Sequence, residues 1–260
     1  MEWIFYLIAG AGAGAVTGLA GLSAAVIITP ILVSLCGYCG YDAVAVALAS
    51  DVLASLLSAY TYYKHQNIDL QLGYRVGATA LLGTLIGSAV GYWFCQTQPE
   101  ALGYISMGAT VLLGIKFLVR PIRGRAIGTH EQDQVMEKTR MLISVLCGLG
   151  IGFVCGFAGS GGGVLMLTVF TLIMGRELKI AVGTATAIMS VIALVGAGGH
   201  IALGADIRVL PTCVVVISCV LTAWGCAKLA NRCENTRLNR IVGVVLIVLG
   251  VITIFIKAKS

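Results

Sequence analysis

Charge is what this 260-residue sequence has least of, with Asp, Glu, Lys and Arg together making up 11% of it. A soluble domain carries about 25% charged residues because most of its surface faces water. At 11% the polar surface of such a domain cannot be covered, so a soluble globular fold is excluded for most of the chain. With 58% hydrophobic residues and a mean hydropathy of +0.98, the surrounding solvent is read as lipid. Other absences narrow the function. No G-x-x-x-x-G-K-[ST] loop occurs, which argues against ATP drive by this chain. No Cys/His cluster has zinc-ligand spacing, and no metal or other cofactor is expected. The net charge of +6 comes from residues between apolar segments and reports orientation in the membrane rather than nucleic-acid binding. Met1-Glu2-Trp3 offers no basic n-region, so the first apolar segment is expected to remain in the mature protein. The nine cysteines fall mostly singly in apolar runs, as small packing residues do. Cys36 and Cys39 are the exception, a C-x-x-C pair that leaves a membrane-embedded redox or ligand-handling role as one alternative.

What the chain does contain is glycine, 34 residues of it, and two very long apolar runs. Trp3–Tyr41 and Met141–Gly175 hold no charged residue over 39 and 35 positions, whereas one membrane crossing needs about 20. Each run is interrupted near its middle, by Gly18-Leu19-Ala20-Gly21-Leu22-Ser23 in the first and by Gly156-Phe157-Ala158-Gly159-Ser160-Gly161-Gly162-Gly163 in the second. Each reads as two helical pieces joined by an unwound turn. Further apolar segments cover roughly 42–63, 72–95, 101–119, 179–203, 207–230 and 239–257. Gly10, Gly12, Gly14, Gly18, Ala20 and Gly21 match Gly148, Gly150, Gly152, Gly156, Ala158 and Gly159 at a constant offset of 138. Ala45–Ser50 parallels Ala181–Thr186 two residues out of that offset. The chain therefore divides into a first transmembrane repeat (1–119), a polar linker (120–138) and a second repeat (139–260).

Charge chooses between two topologies. If each broken run is a hairpin or re-entrant pair followed by three crossings, 14 of 17 basic residues lie on one side, with only Arg208, Lys257 and Lys259 opposite. If each run crosses once, the split is 11 to 6. The positive-inside rule favours the hairpin and puts the linker in the cytoplasm. An odd number of net crossings per half inverts the second half relative to the first. The expected fold is thus an all-α polytopic bundle of two inverted repeats, with a site where the two broken segments meet.

The breaks carry the chemistry. A helix that restarts inside the membrane exposes unpaired N–H groups and a partial positive charge, and glycine lets an anion approach that backbone closely. Ser23 and Ser160 sit where a hydroxyl caps the new helix or touches a ligand. Ser50, Thr184 and Thr186 can add hydroxyl donors, or can bond back to their own helices. No Lys or Arg lies deep in an apolar segment to compete for an anion. Asp51 interrupts segment 42–63 and can carry a coupling proton, bind a cation or lock helices together. His65 and His200 lie near the ends of related segments and are followed by Asp69 and Asp206. They can act as gates on opposite faces, or serve as ordinary boundary residues.

The pattern G-x-G-x-G-x3-G-x-x-G, then G-S-G-G-G, an apolar helix, and an A-T-A helix leading to a His and an I-D-like loop resembles the TauE/SafE family, the sulfite-exporter-like permeases. The resemblance covers nearly the whole chain in two copies. It implies a plasma-membrane permease for sulfite, sulfoacetate or other sulfur-containing anions. The motif positions carried over are Gly159, Gly161, Gly162, Gly163 and Thr186, with Gly21 and Ser50 in the first half. The first break, Gly21-Leu22-Ser23-Ala24-Ala25, lacks the glycine triplet, and Asp51 stands where the family more often has an apolar residue. Both departures point to a different substrate or coupling mode. The expected activity is secondary export of a small sulfur-containing anion from the cell, not an enzyme reaction. A channel-like anion pore and a proton- or cation-coupled transporter built on Asp51 are the alternatives. The partners implied are a small anion, the lipid bilayer and a coupling proton, with no nucleic acid; a homo-oligomer is left open.

Overall fold

The computed structural model describes residues 2–97, 134–158 and 162–234, with positions 237, 240, 241, 244 and 248. Gly159, Ser160 and Gly161, the 101–119 segment, residues 120–133 of the linker and most of 239–257 lie outside the described residues. Among those described there is no strand. The helices are α1 Glu2–Ala20, α2 Ala25–Leu35, α3 Gly40–Lys64, α4 Leu70–Thr97, α5 Gln134–Ala158, α6 Gly162–Thr168, α7 Leu178–Ala202 and α8 Val209–Arg232. A π-helical turn, Val169–Ile173, extends α6. Five of these helices, α1, α3, α4, α7 and α8, are long and apolar enough to cross a membrane.

α3 and α7 form the centre. Small residues line them, among them Ala43, Ala47 and Ala54 on one and Ala181, Ala185 and Ala193 on the other, all fully buried. α4 and α8 lie outside and turn large apolar side chains outward, with Tyr74 at 79% and Leu210 at 73% exposure. That surface suits acyl chains and not water. α1 packs on α8 and α5 packs on α4, each through a glycine stripe. Gly10, Gly14 and Gly18 meet Val215, Cys219 and Ala223 in turn, while Gly148, Gly152 and Gly156 meet Val76, Ala80 and Thr84. Contacts that advance together on both helices mean that each pair runs parallel. Small residues allow this because backbones must approach closely where lipid supplies no hydrophobic drive.

Each long apolar run turns back on itself. The Tyr6 ring, early in α1, meets the Tyr38 ring just past α2, with centroids 6.5 Å apart. In the second half the Phe157 ring, late in α5, lies 5.4 Å from that of Phe94 at the far end of α4, while Arg176 pairs with Asp69 just ahead of the start of α4. The chain between Phe157 and Arg176 has therefore crossed back.

The offset of 138 continues beyond the glycines. α3 and α7 begin 138 residues apart and end 138 apart. Gly37 and Gly175, each at φ +65°, stop the two returning arms at matching places. Both use the left-handed conformation that glycine adopts without strain. Tyr38 N donates to Leu32 O and Arg176 N to Phe170 O, the same bond in each copy. This register corrects two pairings of the sequence reading: Ser50 stands opposite Ile188 rather than Thr186, and His200 opposite Tyr62 rather than His65.

Candidate functional site

α1 ends where Gly21 takes φ +64°. The Gly21 N–H closes the last turn on Thr17 O at 2.9 Å. Four residues on, the Ala25 amide donates to Ser23 Oγ at 3.3 Å, so Ser23 caps the start of α2. A carboxyl reaches this point from α3. Asp51 is fully buried, and its Oδ1 accepts from Thr17 Oγ1 at 3.5 Å. The Ser23 hydroxyl and the Ala24 amide also turn toward the Asp51 carboxyl.

The two breaks touch. A β-carbon placed on Gly163 would lie 2.6 Å from Gly21 O, 2.7 Å from Leu22 Cα and 3.1 Å from Ser23 N. Only glycine fits there. On its other flank Gly21 faces α7, where an added β-carbon would lie 2.9 Å from Val182 O and 3.3 Å from Thr186 Cγ2. Gly162 packs on Cys155 of α5. Gly21, Ser23, Gly162, Gly163 and Thr186 are thus brought together, with Asp51 behind them.

The remaining hydroxyls are committed elsewhere. Ser50 Oγ donates to Val46 O and Thr186 Oγ1 to Gly183 O, each at 2.8 Å, so both hydrogens are spent on their own helices. Thr184 Oγ1 accepts from the Asp69 amide at 2.9 Å. It lines an apolar groove of about 380 Å³ between α4 and α7 instead of the breaks. His65 and His200 each place Nδ1 against the carbonyl four residues back, at 2.8 and 2.9 Å. His65 is exposed at the end of α3. His200 is fully buried and stacks on Tyr41 with centroids 4.3 Å apart. Cys36 lies against the Tyr6 hydroxyl, at one end of the bundle and away from the breaks.

Contacts between the halves close both ends. At one end Asn67 Nδ2 donates to Asn231 Oδ1 at 2.8 Å, and within the second half Lys179 Nζ donates to the same asparagine's carbonyl at 3.0 Å. Arg176 pairs with Asp69 at 2.7 Å there. At the other end the Asp206 amide donates to Asp42 Oδ1 at 2.9 Å, and the Arg208 guanidinium lies 4.9 Å from the centre of the Tyr38 ring. Sequence reasoning missed Thr17, Asn67 and Asn231, whose partners are 34 and 164 residues away. No local spacing signals such pairs.

Irregular backbone kept inside a bundle of apolar helices defines a polytopic membrane protein. The chain belongs to the TauE/SafE family: the family model described as "Sulfite exporter TauE/SafE" matches residues 6–253. It is similar to the probable membrane transporter protein YdhB of Bacillus subtilis (strain 168), 23% identical over 242 residues, which span 93% of this chain and 96% of the relative. It is also similar to the probable membrane transporter protein YunE of the same organism, 26% identical over 268 residues that span 96% of each chain. No solved structure matches it.

Proposed function

We propose that the chain is a secondary transporter that exports a small sulfur-containing anion, such as sulfite or an organosulfonate, across the plasma membrane. The observation that carries this reading is the packing of Gly163 on Gly21–Ser23, which puts both breaks at one place deep in the bundle. Helix starts there supply N–H groups and partial positive charge in a medium of low dielectric. An anion held by such groups needs no lysine or arginine.

Alternating access of two inverted halves is the mechanism this arrangement supports. Helix direction is the argument for inversion. α1 and α8 run from the Tyr38 end toward the Asn231 end, while α4 and α5 run from the Asp69 end back toward Phe94. α3 and α7 likewise point opposite ways, since Tyr41 at the start of one meets His200 near the end of the other. Lys64, Arg176, Lys179 and Arg232 gather at the Asn231 end, which on the positive-inside rule faces the cytoplasm with the 120–138 linker. The contacts across the halves at each end would then open in turn, with His200 under Tyr41 on the outer side. The chain carries no reaction on its substrate in this scheme; it binds, shields and releases.

The test is thermal unfolding of purified protein with sulfite, sulfate, thiosulfate, sulfonates and small carboxylates. A ligand that binds only the folded state at 100 times its Kd adds about 2.7 kcal/mol. Stabilisation confined to sulfur oxyanions, with counterflow in proteoliposomes, is expected. A persistently ohmic current would replace the carrier with a pore, and no stabilisation by any anion would remove the reading.

A further inference from the structure

Asp51 is the only buried acidic side chain among the described residues. It has no lysine, arginine or histidine beside it among those residues. From the helices packed around it, the ionisable groups within reach of its charge are two buried thiols, Cys155 of α5 and Cys219 of α8. α1 and the first break contribute only Thr17, Ser23 and the Ala24 amide. A buried carboxylate needs a compensating charge. The one in place is the start of α2, eleven residues long, where the Ala24 amide just ahead of the helix and the Ser23 hydroxyl face the carboxyl. A helix end of this kind stabilises an anion placed against it.

That helix end is also half of the anion site proposed above, and two anions cannot hold it at once. We propose that Asp51 is a tethered anion that occupies the start of α2 when no substrate is bound and gives it up to the substrate on protonation. The inference rests on the anion-site reading and adds a coupling ion to it. The grip suits exchange: the Thr17 contact is long, at 3.5 Å, and Asp51 Oδ2 has no closely aligned hydrogen-bond partner. The second half does not repeat the tether at this place, because the position opposite Asp51 in α7 is Met189. The cycle balances. On the open side, the carboxylate takes a proton from water and leaves the helix end, and the anion takes its place. On the far side the anion departs, the carboxyl returns its proton to water and the carboxylate recaps α2. One proton and one anion cross together without net charge, so export runs where the outward anion gradient exceeds the opposing proton gradient.

The probe is methanesulfonate, whose charge does not change with pH. Competition for one site makes its apparent Kd on the wild type rise about tenfold per pH unit once Asp51 is ionised. Asp51→Asn, close in shape and uncharged, should bind with no pH slope, and Asp51→Glu should keep the slope. Equal slopes in wild type and Asp51→Asn would overturn the tether while leaving the anion site standing. Binding by neither protein at any pH would remove the anion site and the tether together. Should Asp51→Asn not fold, wild-type proteoliposomes serve instead. A proton gradient imposed without substrate gradient should drive methanesulfonate in the direction of proton flow, and no net movement would overturn the tether.

Discussion

Replacing Gly150 and, separately, Gly152 with Ala puts the same methyl group on two faces of α5. At Gly150 the added carbon meets nothing within 4 Å. At Gly152 it overlaps the Ala80 carbonyl of α4, which is backbone and cannot rotate away. Alanine is favoured over glycine within a helix by roughly 0.8–1.0 kcal/mol at either site. Gly150→Ala should therefore stabilise the protein by up to about 1 kcal/mol. Gly152→Ala starts from the same gain but must force α4 and α5 apart, and overpacking of that kind costs roughly 1–3 kcal/mol, occasionally more. The two variants should differ by about 1–3 kcal/mol or more, with Gly152→Ala the less stable. Unfolding in mixed micelles, followed by helical circular dichroism, measures the difference directly. Gly14→Ala repeats the test in α1, where the added carbon overlaps the Cys219 carbonyl of α8. If Gly150→Ala and Gly152→Ala shifted the midpoint equally, close glycine packing would not hold these helices together and the reasoning would fail.

Other outcomes follow from the same contacts. Ser50→Ala and Thr186→Val should leave anion affinity within about twofold, since each hydroxyl already bonds its own helix; a tenfold loss in a thermal-shift titration would assign them to the ligand. Thr184→Val strands the Asp69 amide and should lower unfolding stability by about 1–3 kcal/mol. Arg176→Gln should cost at most about 1 kcal/mol, because its side chain is 50% exposed and solvent screens the pair. It should still speed hydrogen exchange over residues 65–69, and unchanged exchange would show that the ion pair does not hold that loop. His200→Phe preserves the ring stack on Tyr41, whereas His200→Ala forfeits about 0.5–1.5 kcal/mol of aromatic contact; equal melting of the two would deny the stack any weight.

The membrane environment, the two halves and the breaks were readable because each leaves a mark on residue identity. Scarce charge means lipid. Glycines at matched positions mean repeated close packing, and Gly10, Gly14 and Gly18 with Gly148, Gly152 and Gly156 pack in that way. Register within α3 and α7 was not readable in this manner. Ala45–Ser50 resembles Ala181–Thr186, yet the helices start and stop 138 residues apart. Their limits are set by the turns at Gly37 and Gly175, and runs of small apolar residues look alike when slipped by two.

The sequence by itself determined that this chain lives in lipid, repeats itself and interrupts its helices twice, since those properties follow from composition and periodicity. Tertiary structure alone decided what the interruptions face. Gly163 meets Gly21 only because the two hairpins converge, and Asp51 meets the start of α2 only because α3 passes behind it. Hydrophobic patterning specifies how much of a segment is buried and leaves open which partner buries it. For that reason the carboxyl beside the first break, a side chain of the protein itself, emerged only from the packed helices.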